Sequence, residues 1–138
     1  MKLVASVVLS AACVFAASAS AQTPFSEAAL EAPTKNAGPL EGTLLTPKSK
    51  LTAFVLIIPG SGPTDRDGNS PMGVRGSTYR LLAEGLASRG VATLRIDKRG
   101  MYGSAGAAKD ANAVTIADYG DDVQAWVTRA RVSSSCRT

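Results

Sequence analysis

The stretch VLIIPGSGPTDRDGN, Val55 to Asn69, carries four apolar residues into a proline, two glycines and a burst of charge. The run it belongs to, Ala53 to Ile58 (AFVLII), is apolar without alternation, the pattern of a strand covered on both faces. It stops at Pro59-Gly60, where the backbone must turn sharply towards water. Such a turn can hold an anion on its amides, hold a cation with its aspartates, or simply join two elements.

The neighbours of this stretch set the fold class. Leu40 to Thr46 reads as a short strand closed by Pro47. Beyond the polar loop Ser61 to Gly76, a helix is expected over Thr78 to Arg89, with Tyr79, Leu82, Ala83 and Leu86 on one face and Gly90 as its stop. Val91 to Ile96 (VATLRI) is a further strand ending at Asp97, and Gly100, Gly103 and Gly106 punctuate the loop after it. Thr115 with Asp118 forms a capping-box signature. Behind it Ile116, Tyr119, Val123, Trp126, Val127 and Ala130 recur at helical spacing. Strands alternating with helices imply an α/β chain with a mostly parallel sheet and flanking helices. In such sheets chemistry sits at the C-terminal strand ends, where both glycine-rich loops lie.

The N-terminal segment reads differently. Met1-Lys2 is a basic start, Leu3 to Ala17 is apolar or small throughout, and Ala19-Ser20-Ala21 supplies a small-x-small cleavage pattern. Residues 1–21 are therefore expected to be a signal peptide cleaved after Ala21, giving a secreted or periplasmic protein with no membrane association afterwards. Residues 22–37, with Pro24, Pro33 and mixed charge, read as a flexible linker with a helical turn near Ser26 to Glu31.

Composition narrows the function. At 138 residues the chain allows one modest domain. The formal charge of +4 is spread over scattered basic residues, so no nucleic-acid partner is implied. Cys13 leaves with the signal and Cys136 remains alone, which excludes an internal disulfide. No metal-ligand cluster is visible, no cofactor is called for, and histidine is absent altogether.

The three readings of the turn separate on detail. Gly60-Ser61-Gly62 opens like a dinucleotide fingerprint, but Asp65 replaces the third glycine, Pro63 removes a donor, and the helix starts more than a dozen residues later. Asp65, Asp67 and Asn69 have the spacing of a calcium loop, but Ser70 and Gly76 occupy the positions of its glycine and its bidentate acid. Solvated turn residues around an Asp-Gly bend account for them more simply. An oxyanion hole fits: it needs amides aimed where negative charge develops, and glycines that let substrate approach the backbone.

These residues carry a family resemblance. VLIIPGSGPTDRDGN, YRLLAEGLASRGVATLRIDKRGMYGS and TIADYGDDVQAWV resemble the front half of a bacterial α/β-hydrolase, in the esterase-like branch related to serine aminopeptidases. The G-S-G-P-x-D-R-D-G-N loop occurs together with D-x-R-G-x-x-G-S, formed by Asp97, Arg99, Gly100, Gly103 and Ser104. The resemblance spans about Leu40 to Arg131. It implies a serine hydrolase acting on a small acyl or ester substrate, with an oxyanion amide from Ser61 or Gly62. Gly60, Asp97, Arg99, Gly100 and Gly103 would shape the loops, Asp97 and Arg99 at the site floor. A direct substrate role for Asp65, Arg66 or Asp67 is the lesser reading.

The family's G-x-S-x-G pentapeptide is missing. Ser104 comes nearest, with Tyr102 where the first glycine belongs. No Ser-x-x-Lys occurs, and without histidine no Ser-His-Asp triad can be assembled. The expectation is an N-terminal hydrolase portion over residues 38–131, stopping before the nucleophile-bearing strand. A tail unlike the family follows at 132–138, and the portion is inactive on its own. The strand Ala53–Ile58, central in the family, would then lack a neighbour and offer an edge for self-association. A different class of function also fits: a small secreted module that binds an anion or other ligand on the loops at Gly60 and Gly100, without catalysis.

Overall fold

The computed structural model describes residues 23–35 and 37–135. The expected signal peptide, Cys13 and Cys136 lie outside them. Four strands form one mixed sheet: β1 (Phe25–Ala32), β2 (Leu40–Pro47), β3 (Ala53–Ile57) and β4 (Val91–Ile96), in the order β1-β2-β4-β3. β1 runs antiparallel to β2 with Ala32 opposite Leu40, β2 runs antiparallel to β4 with Leu44 opposite Leu94, and β4 runs parallel to β3 with Leu94 opposite Leu56. Two helices, α1 (Thr78–Ala87) and α2 (Ile116–Ser135), complete the fold with short 3-10 turns at Tyr102–Ala107 and Ala111–Ala113. Among the described residues no helix is long and apolar enough to cross a membrane.

This architecture corrects the expected mostly parallel α/β-hydrolase sheet: two of the three strand pairings are antiparallel. Part of the reason lies in residues 22–37, expected as a linker. They hold β1, an edge strand whose pattern is hard to read because only Leu30 and Ala32 bury deeply while Ser26, Glu27, Ala28, Ala29 and Glu31 stay exposed. An edge strand with one wet face needs no continuous apolar run. The chain after Arg131 departs from expectation too, since α2 continues through Val132 to Ser135.

Side-chain alternation divides the core between the two faces of the sheet. Leu45 and Ile57 meet Ala83 and Ala87 of α1, with Phe25, Val55 and Tyr79 packed around them. Leu30, Leu40, Leu94 and Ile96 meet Trp126 of α2 on the other face. Trp126 is fully buried, and its closeness to the sheet depends on Gly42, where a Cβ would sit 3.0 Å from the indole Cη2 and 2.9 Å from the Arg95 carbonyl. On each helix the face is narrower than its periodicity implies. Leu82 is exposed on α1 and Ile116 on α2.

The helix ends follow from local chemistry. Gly90, at φ 87°, takes the left-handed conformation that stops α1 and turns the chain into β4. At the start of α2 the Thr115 hydroxyl donates to Asp118 Oδ2 (2.7 Å), and the Asp118 amide donates back to Thr115 Oγ1 (3.2 Å). The hydroxyl bond and a second one from the Thr115 amide to Asp118 Oδ2 (2.8 Å), with smaller contributions from Arg99 and Lys35, hold the Asp118 carboxyl below its ordinary pKa of 3.8. A depressed carboxyl contributes stability that is complete above its unfolded pKa and lost as pH falls through its folded value. The carbon shifts of Ile116 to Tyr119 should therefore stay helical at about pH 5 and move towards coil at about pH 2. A first turn indifferent to acid would contradict the box.

β3 has a neighbour on one side only, and Phe54 and Ile58 are exposed beside its open edge. No charged residue lies between Leu51 and Thr64, whereas the opposite edge, β1, carries Glu27 and Glu31. Charges blunt edges and their lack invites pairing. Sedimentation is expected to show concentration-dependent association of the chain, and Phe54→Lys to return it to monomer. A wild-type monomer across the whole concentration range would refute this.

Candidate functional site

Two loops meet at the C-terminal ends of the parallel pair β3 and β4: residues 58–77 after β3 and residues 97–107 after β4. Their junction is built on Asp97, buried at the end of β4. One of its oxygens accepts the Arg66 amide (2.9 Å). The other accepts Arg66 Nε (2.9 Å), Arg66 Nη2 (2.6 Å) and the Gly103 amide (3.1 Å). Arg66 reaches on to Glu41 and Thr43 of β2. The next residue, Asp67, takes the guanidinium of Arg95, which is almost wholly buried on the α1 face and also meets Glu27 of β1.

The charge burst is thus a clamp rather than a solvated bend. Asp65 completes it locally by accepting the amides of Asp67 (2.9 Å) and Asn69 (2.7 Å) on one oxygen. Gly68 follows at φ 89°, where a Cβ would come within 2.6 Å of Thr78 Oγ1. The Asp67 carbonyl then accepts from the amides of Tyr79 and Arg80, tying the loop to the first turn of α1. With their oxygens engaged in this way, Asp65, Asp67 and Asn69 do not converge on a cation. Among the described residues no cluster of three or more acidic, histidine or cysteine side chains is arranged to hold a metal.

Between Pro59 and this clamp runs the glycine turn. Gly60, Ser61 and Gly62 are exposed, and Gly62 is left-handed at φ 79°. Their carbonyls and amides point in opposite senses. The Gly60 carbonyl accepts from Lys98 Nζ at 2.6 Å, and the Gly62 carbonyl accepts from the same ammonium and from the Thr64 amide (2.9 Å). The amides of Ser61 and Gly62 donate to no acceptor among the described residues. Tyr102, itself left-handed at φ 47°, donates its hydroxyl to the Pro63 carbonyl and closes the turn from the other loop.

The residues singled out from sequence divide in three. Gly60, Ser61 and Gly62 form the turn. Asp97, Gly100 and Gly103 belong to the loop that supports it, and the Gly100 amide donates to the Ser104 carbonyl at 2.9 Å. Arg99 lies apart. It faces Asp122 of α2 through Nε (3.1 Å) and Nη2, so it ties the loop to the opposite face of the sheet rather than to the turn. Ser104 is fully buried, donates to the Asp97 carbonyl (3.1 Å) and accepts the Glu41 amide (2.8 Å). Those bonds make it a structural hydroxyl. Lys98 was missed because it occupies the unassigned second position of D-x-R-G-x-x-G-S. Its signal is the absence of any carboxylate bound to it, which only the coordinates display.

A charged cleft of about 330 Å³ lies beside the clamp, lined by Arg66, Arg80, Arg95, Asp67, Asp97 and Tyr102 among others. A larger groove of about 950 Å³ runs between α2 and the residues before Gly38, far from the turn. There Lys35 and Arg99 are paired with Asp121 and Asp122. No family model, curated protein or solved structure matches the chain. The family likeness therefore rests on the quoted stretches of sequence alone.

Asp97 gathers four donors in a buried position, so removing it leaves two amides unpaired and Arg66 with only Glu41 as counter-charge. Asp97→Ala is expected to lower unfolding stability by about 3–5 kcal/mol in urea titration. A loss under about 1 kcal/mol would mean the pair is solvent-like.

Proposed function

We propose that the Gly60–Gly62 turn is the oxyanion-binding element of an exported serine hydrolase. The amides of Ser61 and Gly62 would receive the negative oxygen that forms when the carbonyl of a small ester or acyl substrate becomes tetrahedral. The observation that carries this reading is the orientation of the turn: both amides are exposed and unengaged, while the carbonyls flanking them are drawn back onto Lys98. Preorganised donors of this kind need no rearrangement when charge develops, which is why a single one is worth about 10²–10³ in rate.

The same residues bound what this polypeptide does by itself. It has no histidine, and its best-placed serine by motif, Ser104, spends its hydroxyl on Asp97 and Glu41. A Ser-His-Asp triad therefore cannot be assembled from these 138 residues. Stabilising an anion does not require one. The second reading, an anion-binding module without catalysis, is favoured by that same lack of histidine and uses the same two amides.

Titration with inorganic phosphate, followed by the amide resonances of the isotope-labelled chain, tests the shared premise. Ser61 and Gly62 should shift saturably. Shifts confined to the arginines of the clamp would refute it. In parallel, p-nitrophenyl acetate should be hydrolysed no faster than in buffer; turnover abolished by one substitution in this chain would show a nucleophile that the account lacks.

A further inference from the structure

Lys98 is a buried charge beside the turn. It is buried to 7% exposure and makes no ion pair among the described residues; its ammonium donates only to the carbonyls of Gly60 and Gly62. Lysine is almost never buried without a partner, because desolvating an ammonium costs several kcal/mol. Burial accordingly lowers its pKa from the ordinary lysine value. Such a placement calls for a role beyond packing.

The geometry of the peptide unit supplies one. In a trans peptide the carbonyl of one residue and the amide of the next lie in one plane and point in opposite directions, and no cis bond occurs among the described residues. The Gly60 carbonyl and the Ser61 amide share such a plane. Drawing that carbonyl towards Lys98 aims the Ser61 N–H the other way, towards open solvent. Two residues on, the left-handed φ of Gly62 brings a second carbonyl back to the same ammonium. The Ser61–Gly62 unit is thereby bracketed between two anchored planes. Hydrogen bonding at a carbonyl also polarises its peptide unit, strengthening the N–H on the far side by about a tenth to a third.

We propose that Lys98 is the positioning residue of this turn: by holding the Gly60 and Gly62 carbonyls on its ammonium it turns the Ser61 amide outward and places a positive charge behind the anion that amide receives. Lys98 does not touch the ligand. It acts through one peptide unit, the way a helix N-terminus presents its amides but with a side chain in place of the helix. The inference rests on the reading of the turn as an anion site, and its test is arranged so that the two can fail separately.

In the isotope-labelled wild-type chain, scalar couplings across the hydrogen bonds should connect Lys98 Nζ with the carbonyl carbons of Gly60 and Gly62. Their absence in the folded protein overturns the proposal. Lys98→Met keeps the stem and removes the charge. It should displace the Ser61 amide nitrogen shift before any anion is added, leave the Trp126 and Asp118 resonances in place, and weaken phosphate binding at the turn by about tenfold or more. Lys98→Arg should recover part of that loss. Equal phosphate affinity in wild type and Lys98→Met overturns the positioning role while the anion site stands. A Ser61 shift that follows Lys98 in a chain that binds no phosphate sustains the positioning role while the anion site falls. If Lys98→Met does not fold, the wild-type couplings decide.

Discussion

The pairing of Arg66 with Asp97 is the constraint on which the arrangement depends. Asp97 ends β4 inside the protein, and a buried carboxylate is tolerated only when its lone pairs are filled. Arg66 fills most of them, with its own amide as well as its guanidinium. That demand pulls a hydrophilic loop down onto the end of the sheet. Once Arg66 is fixed, Asp67 is delivered to Arg95 and to the start of α1, and Asp65 folds the backbone around both. The glycine turn is then a short span between two fixed points, the end of β3 and the clamp. Its conformation is set from both sides before any ligand arrives.

Lys98 follows Asp97 directly in the chain, so the clamp and the turn are connected by one residue of backbone. Side chains of consecutive strand residues point to opposite sides, but past the end of β4 the chain has left that alternation, and both side chains serve the same loop. A carboxylate organises the arginine segment and the adjacent ammonium organises the glycine segment. Tyr102 adds a third tie at Pro63. The result is a turn with its carbonyls committed and two of its amides free, an asymmetry suited to negative charge.

How much of this was legible beforehand depended on how local each determinant is. The VATLRI strand matches β4 residue for residue, and the Thr115–Asp118 box opens α2 as its spacing requires, because both are encoded within a few residues. β1 was hidden behind two prolines and two glutamates: as an edge strand it buries Leu30 and Ala32 and little else. The strand order could not be seen either. Nothing in AFVLII distinguishes a central strand from the outermost one, and nothing in LEGTLLT says that β4 rather than β3 lies beside it. Within the site the glycines announced a special backbone, while the charges misled. Arg66 and Asp67 look like part of a solvated bend in sequence because their partners Asp97 and Arg95 lie 31 and 28 residues away.

The central claim is that the Ser61 and Gly62 amides stand ready for an anion. Diffraction from crystals soaked in arsenate tests it most directly, since the anomalous signal locates the oxyanion without assumptions about shifts or rates. The account predicts an arsenate within hydrogen-bonding distance of both amides, with the Gly60 and Gly62 carbonyls still on Lys98. Arsenate found only against the arginines of the charged cleft, or amides rotated onto carbonyls of the chain itself, would contradict it.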